Sequence, residues 1–543
     1  MNLSVYQRSI LGQTTRQLLF ILGLLACVTV CTPVAYAQML PPSAPPLPAP
    51  TGQVISVSTV SELQAAVNGL ASGQTILIQP GTYRLTQELR FRFGVTNVAL
   101  RGATNNRDDV VILGSGMATQ GVNIAVKVED AQDVLLANFS VGQAYWHPIQ
   151  LKGEMGAERV HIYNVRLFDA GQQFLKSTVD FNNPNGVDGV TVEYSLFEYT
   201  KIGPAYGYTQ GIDVHTGADW VIRYNVFRNI TVPRTATYRQ RPAIDLWSGS
   251  RNTLVYGNLI LNCERGIILG VMQQPQFEHS HFGGAVFNNV IYRAAGATFN
   301  PDAGISIWDS PNTKVFNNTV IQNGTYPDAI EYRFTGTTNV QIYNNLTDGA
   351  IRSRDGAQAT LANNYTQATA AFFVNPAAAD LHLSAGATTA VDQGRSLTDF
   401  TVDFDGQLRP AGAAWDIGAD ERGGNAPTAS APRLYLPSNG QENVTIAVPP
   451  SGTNGAYVRW YAFTGAIRYD IYLGTSSTPP KIGTVTPNGA GCSPSACVSV
   501  TYPGTLYFRR PTTPNTTFYW RVVATTATGA AVSSPIWSFK TAP

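Results

Sequence analysis

Nine times between residues 136 and 364 the chain returns to one motif: an aliphatic residue, a variable one, then two positions rich in Asn. The copies begin at Leu136, Ile162, Val192, Ile222, Val255, Val286, Val315, Ile342 and Leu361. They recur every 19 to 33 residues, a period that indicates a solenoid of stacked coils. Short apolar runs bounded by Gly and Asn turns lie between them, without a helical period, so the coils are read as β-strands. Asn225, Asn258, Asn289, Asn318, Asn345 and Asn364, the last residues of six copies, are expected to stack as an internal amide ladder.

Composition agrees and excludes other classes. Charged residues are 13% of 543 and Gly numbers 50, which favours a β-rich chain over a helical bundle. With 44% hydrophobic residues the chain can bury a core, so general disorder is excluded. Lys+Arg at 36 against Asp+Glu at 35 leaves a net charge of +1, without the basic excess of a nucleic-acid binder. The first 37 residues read as an export signal: Arg8 and Arg16, an apolar run from Leu18 to Val30, then Ala35-Tyr36-Ala37. Cleavage after Ala37 is expected to give a secreted, extracellular or periplasmic protein; a lipoprotein signal at Leu24 to Cys27 is the alternative. No other stretch approaches the roughly 18 apolar residues of a membrane span, so no membrane insertion is expected after the signal is removed. Cys492 and Cys497 are expected to pair in an oxidising compartment, and Cys263, in an apolar run, to be a buried thiol.

Pro41 to Pro50 holds six prolines, so 38–50 is read as a stiff linker. A short helix is expected from Val60 to Leu70, with Thr59 and Glu62 spaced as a capping box. This helix, Pro80-Gly81-Thr82-Tyr83 and the Asn-Asn coils resemble the right-handed parallel β-helix of the pectin-lyase-like superfamily over residues 51–421, closing at Ile417-Gly418-Ala419-Asp420-Glu421. The resemblance implies an all-β, single-stranded solenoid with an N-terminal capping helix. It leaves open lyases, hydrolases, epimerases, esterases and adhesins. After a Gly/Pro/Ala-rich linker at 422–431, residues 432–543 show alternating strands, as in Tyr469 to Gly474 and Thr517 to Val522. They resemble a fibronectin type III module, which implies a β-sandwich spacer or carbohydrate contact.

A second strand in each coil aligns ahead of the motif, beginning at Ile149, Gln173, Ile212, Ile244, Ile267, Ile305, Ile330 and Ile351. Alternation turns its second and fourth residues outward, and coils lie about 4.8 Å apart. One outward column then holds Lys152, Lys176, His215 and Trp247; its neighbour holds Gln150, Asp213 and Asp245. Long insertions at 198–210, 228–242 and 271–284 flank these coils and carry Tyr206, Tyr208, Arg234, Arg239, Arg241, His279 and His281. His279 and His281 are read as solvated loop residues. Trp247, Tyr206, Tyr208, Arg234, Arg239, Arg241, His147 and Gln150 are the candidate substrate contacts. Rings stack on pyranose faces and guanidinium groups pair with carboxylates.

Three function classes fit. A polysaccharide lyase acting on a uronic-acid-containing chain would draw base and neutralising groups from Lys152, Lys176, His215 and Arg265. Asp213 and Asp245 could then hold a Ca²⁺ that grips the substrate carboxylate. In a glycoside hydrolase the same two aspartates would be the acid and the nucleophile or base. A non-catalytic glycan-binding or surface adhesin protein is the third class. The expected partner in each case is a polysaccharide, acidic for the lyase.

Overall fold

The structure is a computed structural model. It describes residues 39–423 (48, 51, 183, 201–206, 234, 236–241, 273 and 299 excepted), 434–444 (438 excepted), 455–461, 466–485, 505–511 and 513–543 (527–530 excepted). The leader, Tyr206, Arg234, Arg239, Arg241, Cys492 and Cys497 lie outside the described residues.

From Val54 to Ala362 the chain winds as a right-handed parallel β-helix of three sheets. The first sheet has 12 strands, from Val54–Val57 to Ala359–Ala362. The second has 10, from Leu89–Phe91 to Ala350–Arg354, and the third 10, from Gly81–Arg84 to Leu346–Thr347. The helix Val60–Asn68 caps the start of the solenoid, with the Thr59–Glu62 capping box formed in both directions.

The repeated motif is the register mark of the first sheet. Leu136, Ile162, Val192, Ile222, Val255, Val286, Val315, Ile342 and Leu361 pair in unbroken sequence. Its third residue, in all nine copies, has positive φ between 48° and 61°. Asn and Gly tolerate that left-handed turn, which explains their use there. Tyr194 and Tyr224 are the exceptions, and their rings stack 5.4 Å apart. At Gly257 a Cβ would come 2.7 Å from the Tyr224 ring, so the stack itself demands glycine one coil on. The fourth residue points inward. Asn225, Asn258, Asn289, Asn318, Asn345 and Asn364 link side chain to side chain at 2.9–3.0 Å. Inside, columns such as Ile149, Leu175, Ile212, Ile244, Ile267, Ile305 and Ile330 are fully buried.

Both flanks of the solenoid differ from expectation. Coil strands end at Ala362 and do not continue to 421. Residues 363–421 turn back over the solenoid instead. Phe372, Phe373, Leu381, Leu383, Phe404 and Ile417 pack on Leu259, Leu261, Val290, Ile321 and Leu346 of the third sheet. Phe400 and Trp415 pack against Phe316 and Tyr343 of the first. Outward apolar residues such as Leu259 and Leu261 need such a cover. The proline-rich segment is also no free linker. Leu47 and Ala44 sit against Ala99, Leu135, Ala137 and Tyr163 of the first sheet, and Tyr163 hydrogen-bonds the Pro45 carbonyl. Beyond the solenoid, a three-stranded and a six-stranded sheet share one core containing Trp460, Tyr469, Phe518 and Trp520, a β-sandwich. Cys263 is a buried free thiol, and burial pushes it up to about 12.

Candidate functional site

The first and third sheets carry these covers on their outer faces. On the second sheet the outward residues form two columns. The inner-edge column runs Arg90, Lys127, Gln150, Lys176, Asp213, Asp245, Ile268, Ser306, Glu331 and Arg352. The other pairs Lys152 with Thr178, His215 with Trp247, and Trp308 with Arg333 and Arg354. Lys176 therefore belongs to the column of Gln150 and Asp213, not to that of Lys152 and His215. The strand in its coil is Leu175–Thr178, two residues later than the alignment that began at Gln173. Leu175 is apolar and inward in either alignment, which makes the two registers look alike, and Phe174, which that alignment turns outward, packs in the core against Phe197 and Tyr199.

That shift brings three groups into contact. The Lys176 ammonium hydrogen-bonds Asp213 Oδ2 and, at 2.8 Å, His215 Nε2. Trp247 Nε1 donates to Asp213 Oδ1 at 3.0 Å. His215 Nδ1 lies 3.0 Å from Ser248 Oγ. An ammonium can only donate, so His215 accepts through Nε2 and carries its own proton on Nδ1, toward Ser248. Lys176 and His215 thus share one positive charge opposite Asp213. Burial alone pushes the Asp213 carboxyl up, but Lys176 and His215 outweigh it and hold it below the usual carboxylate range. Lys176 and His215 reach the surface only at their edges, at 8% and 9% exposure, while Asp213 and Asp245 are fully covered.

Around this centre stand groups that the sequence reading passed over. Gln173 Nε2 bonds Gln210 Oε1 at 2.8 Å, and Gln210 Nε2 bonds Asp245 Oδ2 at 2.9 Å. Both glutamines stand two residues ahead of a second-sheet strand, a recurrence visible in the sequence. Ser248 and Phe181 follow second-sheet strands, and Phe181 lies 5.6 Å edge-on from the His215 ring. His147 is buried, and its Nδ1 reaches the Gln173 carbonyl at 3.1 Å. Burial holds it down at about 3, so it is a neutral structural imidazole rather than an exposed contact. His281 is likewise buried, between Ser310 and Thr253, and not a solvated loop residue. His279 bonds Asp309 at 3.1 Å. Tyr208 is exposed, and Gln150 is half-buried one coil before Lys176 in the same column.

Lys152 does not join the cluster. It sits beside Thr178 rather than His215, and its ammonium lies 3.2 Å from Glu154. Arg265 stands one coil beyond Asp245, with Nε 2.9 Å from Asp302 and its guanidinium 5.4 Å from the Trp308 ring. Asp213 and Asp245 do not fit a calcium ion. Calcium wants several hard oxygens converging on it, whereas the Asp213 oxygens already accept from an ammonium and an indole, and Asp245 Oδ2 from an amide.

The family model for the right handed beta helix region matches residues 165–367. No curated protein matches the sequence. Among solved structures the chain is similar to a pectate lyase, with 15% identity and a TM-score of 0.42, over 68% of this chain and 97% of that one. An alginate lyase from Paenibacillus shows 12% identity and a TM-score of 0.32, over 57% and 97%. A surface adhesin of Streptococcus pneumoniae shows 13% and 0.38, over 56% and 85%. Lyases and an adhesin stand together there, so activity must come from the residues. Among the described residues no helix is long and apolar enough to cross a membrane.

Proposed function

We propose that this chain is a polysaccharide lyase that cleaves a uronate-containing glycan by β-elimination on the outer face of the second sheet. One observation carries the reading: the Lys176 ammonium bridges Asp213 and His215 at that surface. β-Elimination breaks the C5–H bond and the C4–O bond and forms the C4–C5 double bond. It needs a base for the C5 proton and a donor for the departing oxygen. Transfer of the shared proton from Lys176 to His215 leaves a neutral amine as base and an imidazolium as donor, with Asp213 balancing the charge throughout. Trp247 and Ser248 fix the orientations of Asp213 and His215. Arg265 is assigned to the substrate carboxylate. Among the described residues Asp302 takes its Nε and Nη2, which leaves Nη1 to donate.

The hydrolase reading is less well supported. It requires one carboxyl kept protonated and one facing water. Asp213 is held ionised by its cationic neighbours, and both aspartates are fully covered.

The test incubates the exported protein with acidic and neutral polysaccharides and follows both the ultraviolet absorbance of unsaturated uronate and new reducing ends. Rising absorbance on an acidic glycan is expected. His215→Ala should cut turnover about 10²–10⁴-fold. Its unfolding should stay near wild type, because the Lys176–Asp213 pair survives. Reducing ends without absorbance would establish the hydrolase instead, and binding without cleavage the adhesin. Full activity in His215→Ala would overturn the assignment of the centre.

A further inference from the structure

Two aromatic rings from segments nearly a hundred residues apart meet beside the Lys176–His215 centre. Phe181, three residues past the strand Leu175–Thr178, is 44% exposed and lies edge-on to His215 at 5.6 Å. Phe277, in the segment after Ile267–Leu269, lies edge-on to Phe181 at 6.4 Å. To arrive there this segment reaches back along the solenoid to the coil of Trp247, against Gly249.

Its seat is built in advance. Gly249 has φ +82°, and a Cβ there would come 2.5 Å from Phe277 Cδ1, so glycine makes room for the ring. The base of the segment is pinned by Gly249 N to Ser280 O at 2.9 Å, Ser280 N to Asp309 Oδ2 at 2.9 Å, and Val271 N to Ser280 Oγ at 3.0 Å. Single exposed apolar residues are ordinary on protein surfaces. A half-exposed ring held by a second aromatic on a pinned loop, against the imidazole that bonds Lys176, is a built surface.

We propose that Phe181, backed by Phe277, is the sugar-stacking platform that sets one pyranose ring of the glycan over Lys176 and His215. The occupant is the apolar C–H face of a hexuronate, whose polar rim then turns toward the Lys176–His215 pair. The proposal deepens the lyase reading and rests on it for the identity of the sugar. Phe181 holds substrate and takes no part in proton transfer. Its removal should therefore weaken binding and leave the chemical step alone.

The experiment compares wild type, Phe181→Ala and Phe181→Tyr. Phe181→Ala should raise KM by about tenfold with kcat changed less than about threefold, and Phe181→Tyr, which keeps the ring, should stay within about twofold. Binding of the same acidic glycan is titrated separately in a Lys176→Gln background, or in His215→Gln where that variant does not fold. This titration needs no turnover, so it reads the platform even if the lyase reading fails. Phe181→Ala should lose about tenfold in affinity there. Unchanged KM and unchanged binding in Phe181→Ala would overturn the platform while leaving the lyase reading in place. A fall in kcat alone would show that the ring only orients His215. An equal loss in Phe181→Tyr would trace the effect to loop packing and not to the ring.

Discussion

Asn289→Leu tests whether the amide ladder holds the coils together. Asn289 Oδ1 accepts the Asn258 backbone N–H at 3.1 Å and Asn258 Nδ2 at 3.0 Å, and its Nδ2 donates to the Val255 carbonyl at 2.8 Å. Leucine has nearly the same size but none of these bonds. Asn258 Nδ2 keeps Ile222 O and Tyr256 O, and Asn318 Oδ1 keeps the backbone N–H of residue 289. The Phe287 carbonyl also loses Asn289 Nδ2 but keeps the Gly257 N–H. The losses that weigh are therefore the Asn258 N–H and the side-chain donor of the Val255 carbonyl. At ~1–3 kcal/mol for each unsatisfied group, with the carbonyl at the low end, the variant should lose about 2–4 kcal/mol. Asn364→Leu is the internal control. Asn364 also accepts from Asn345, but it ends the ladder and is half-buried, so water can replace its bonds at a cost of about 1 kcal/mol. Urea unfolding followed by far-ultraviolet circular dichroism measures both, with an unchanged m-value as the check on two-state comparison. Glycan cleavage should be unaffected, because the ladder lies at the turn between the first and third sheets. Equal losses at 289 and 364, or a loss below about 0.5 kcal/mol at 289, would refute the argument from unsatisfied groups.

Two further outcomes concern the covers. In the 363–421 segment His382 is gripped by Asp405 and Asp380, and these bonds raise it from its ordinary value to about 10. A pKa raised on folding gives stability that is complete below about 6.5 and lost as pH rises through about 10. Hydrogen exchange within 380–421 should accelerate over that window, and His382→Gln should flatten the dependence. Leu47→Ala, which empties the contact with Leu135, Ala137 and Tyr163, should lower stability by about 2–3 kcal/mol in the same urea assay and leave activity intact.

The solenoid was legible because its two constraints repeat. An aliphatic residue and a left-handed one two positions on, Asn or Gly except at Tyr194 and Tyr224, recur in every coil, so nine copies align without error. The second-sheet alignment failed once, at Lys176, for a physical reason. A slip of two residues preserves which side chains face outward, and Leu175 is an apolar inward residue in either register. The error moved Lys176 beside Lys152 and hid its contact with Asp213. The platform and the glutamine chain were hidden for another reason: Phe181, Phe277 and Gln210 act from turns, where no period governs position. The covers left one readable trace. Runs apolar at every position, such as Leu259-Ile260-Leu261, mark strands buried on both faces. The Pro-rich segment was misread because proline content reports stiffness, and a stiff extended chain can lie along a sheet as well as span a gap.

The Lys176–His215 pair reaches solvent through about a tenth of each side chain. In the proposed reaction its reactivity would be coupled to a local dielectric that an approaching polymer would lower further. Under the proposed lyase reading, a glycan seated on this surface would expel water from around a cation whose counter-ion, Asp213, is already fixed. The attraction between them would strengthen at that moment, while the carboxylate of the proposed uronate would arrive as a second anion beside the same charge. Proton affinity in the occupied site is therefore set by the ligand as much as by the protein. The pH profile of kcat should accordingly lie apart from that of kcat/KM, since the first reports the occupied and the second the empty site.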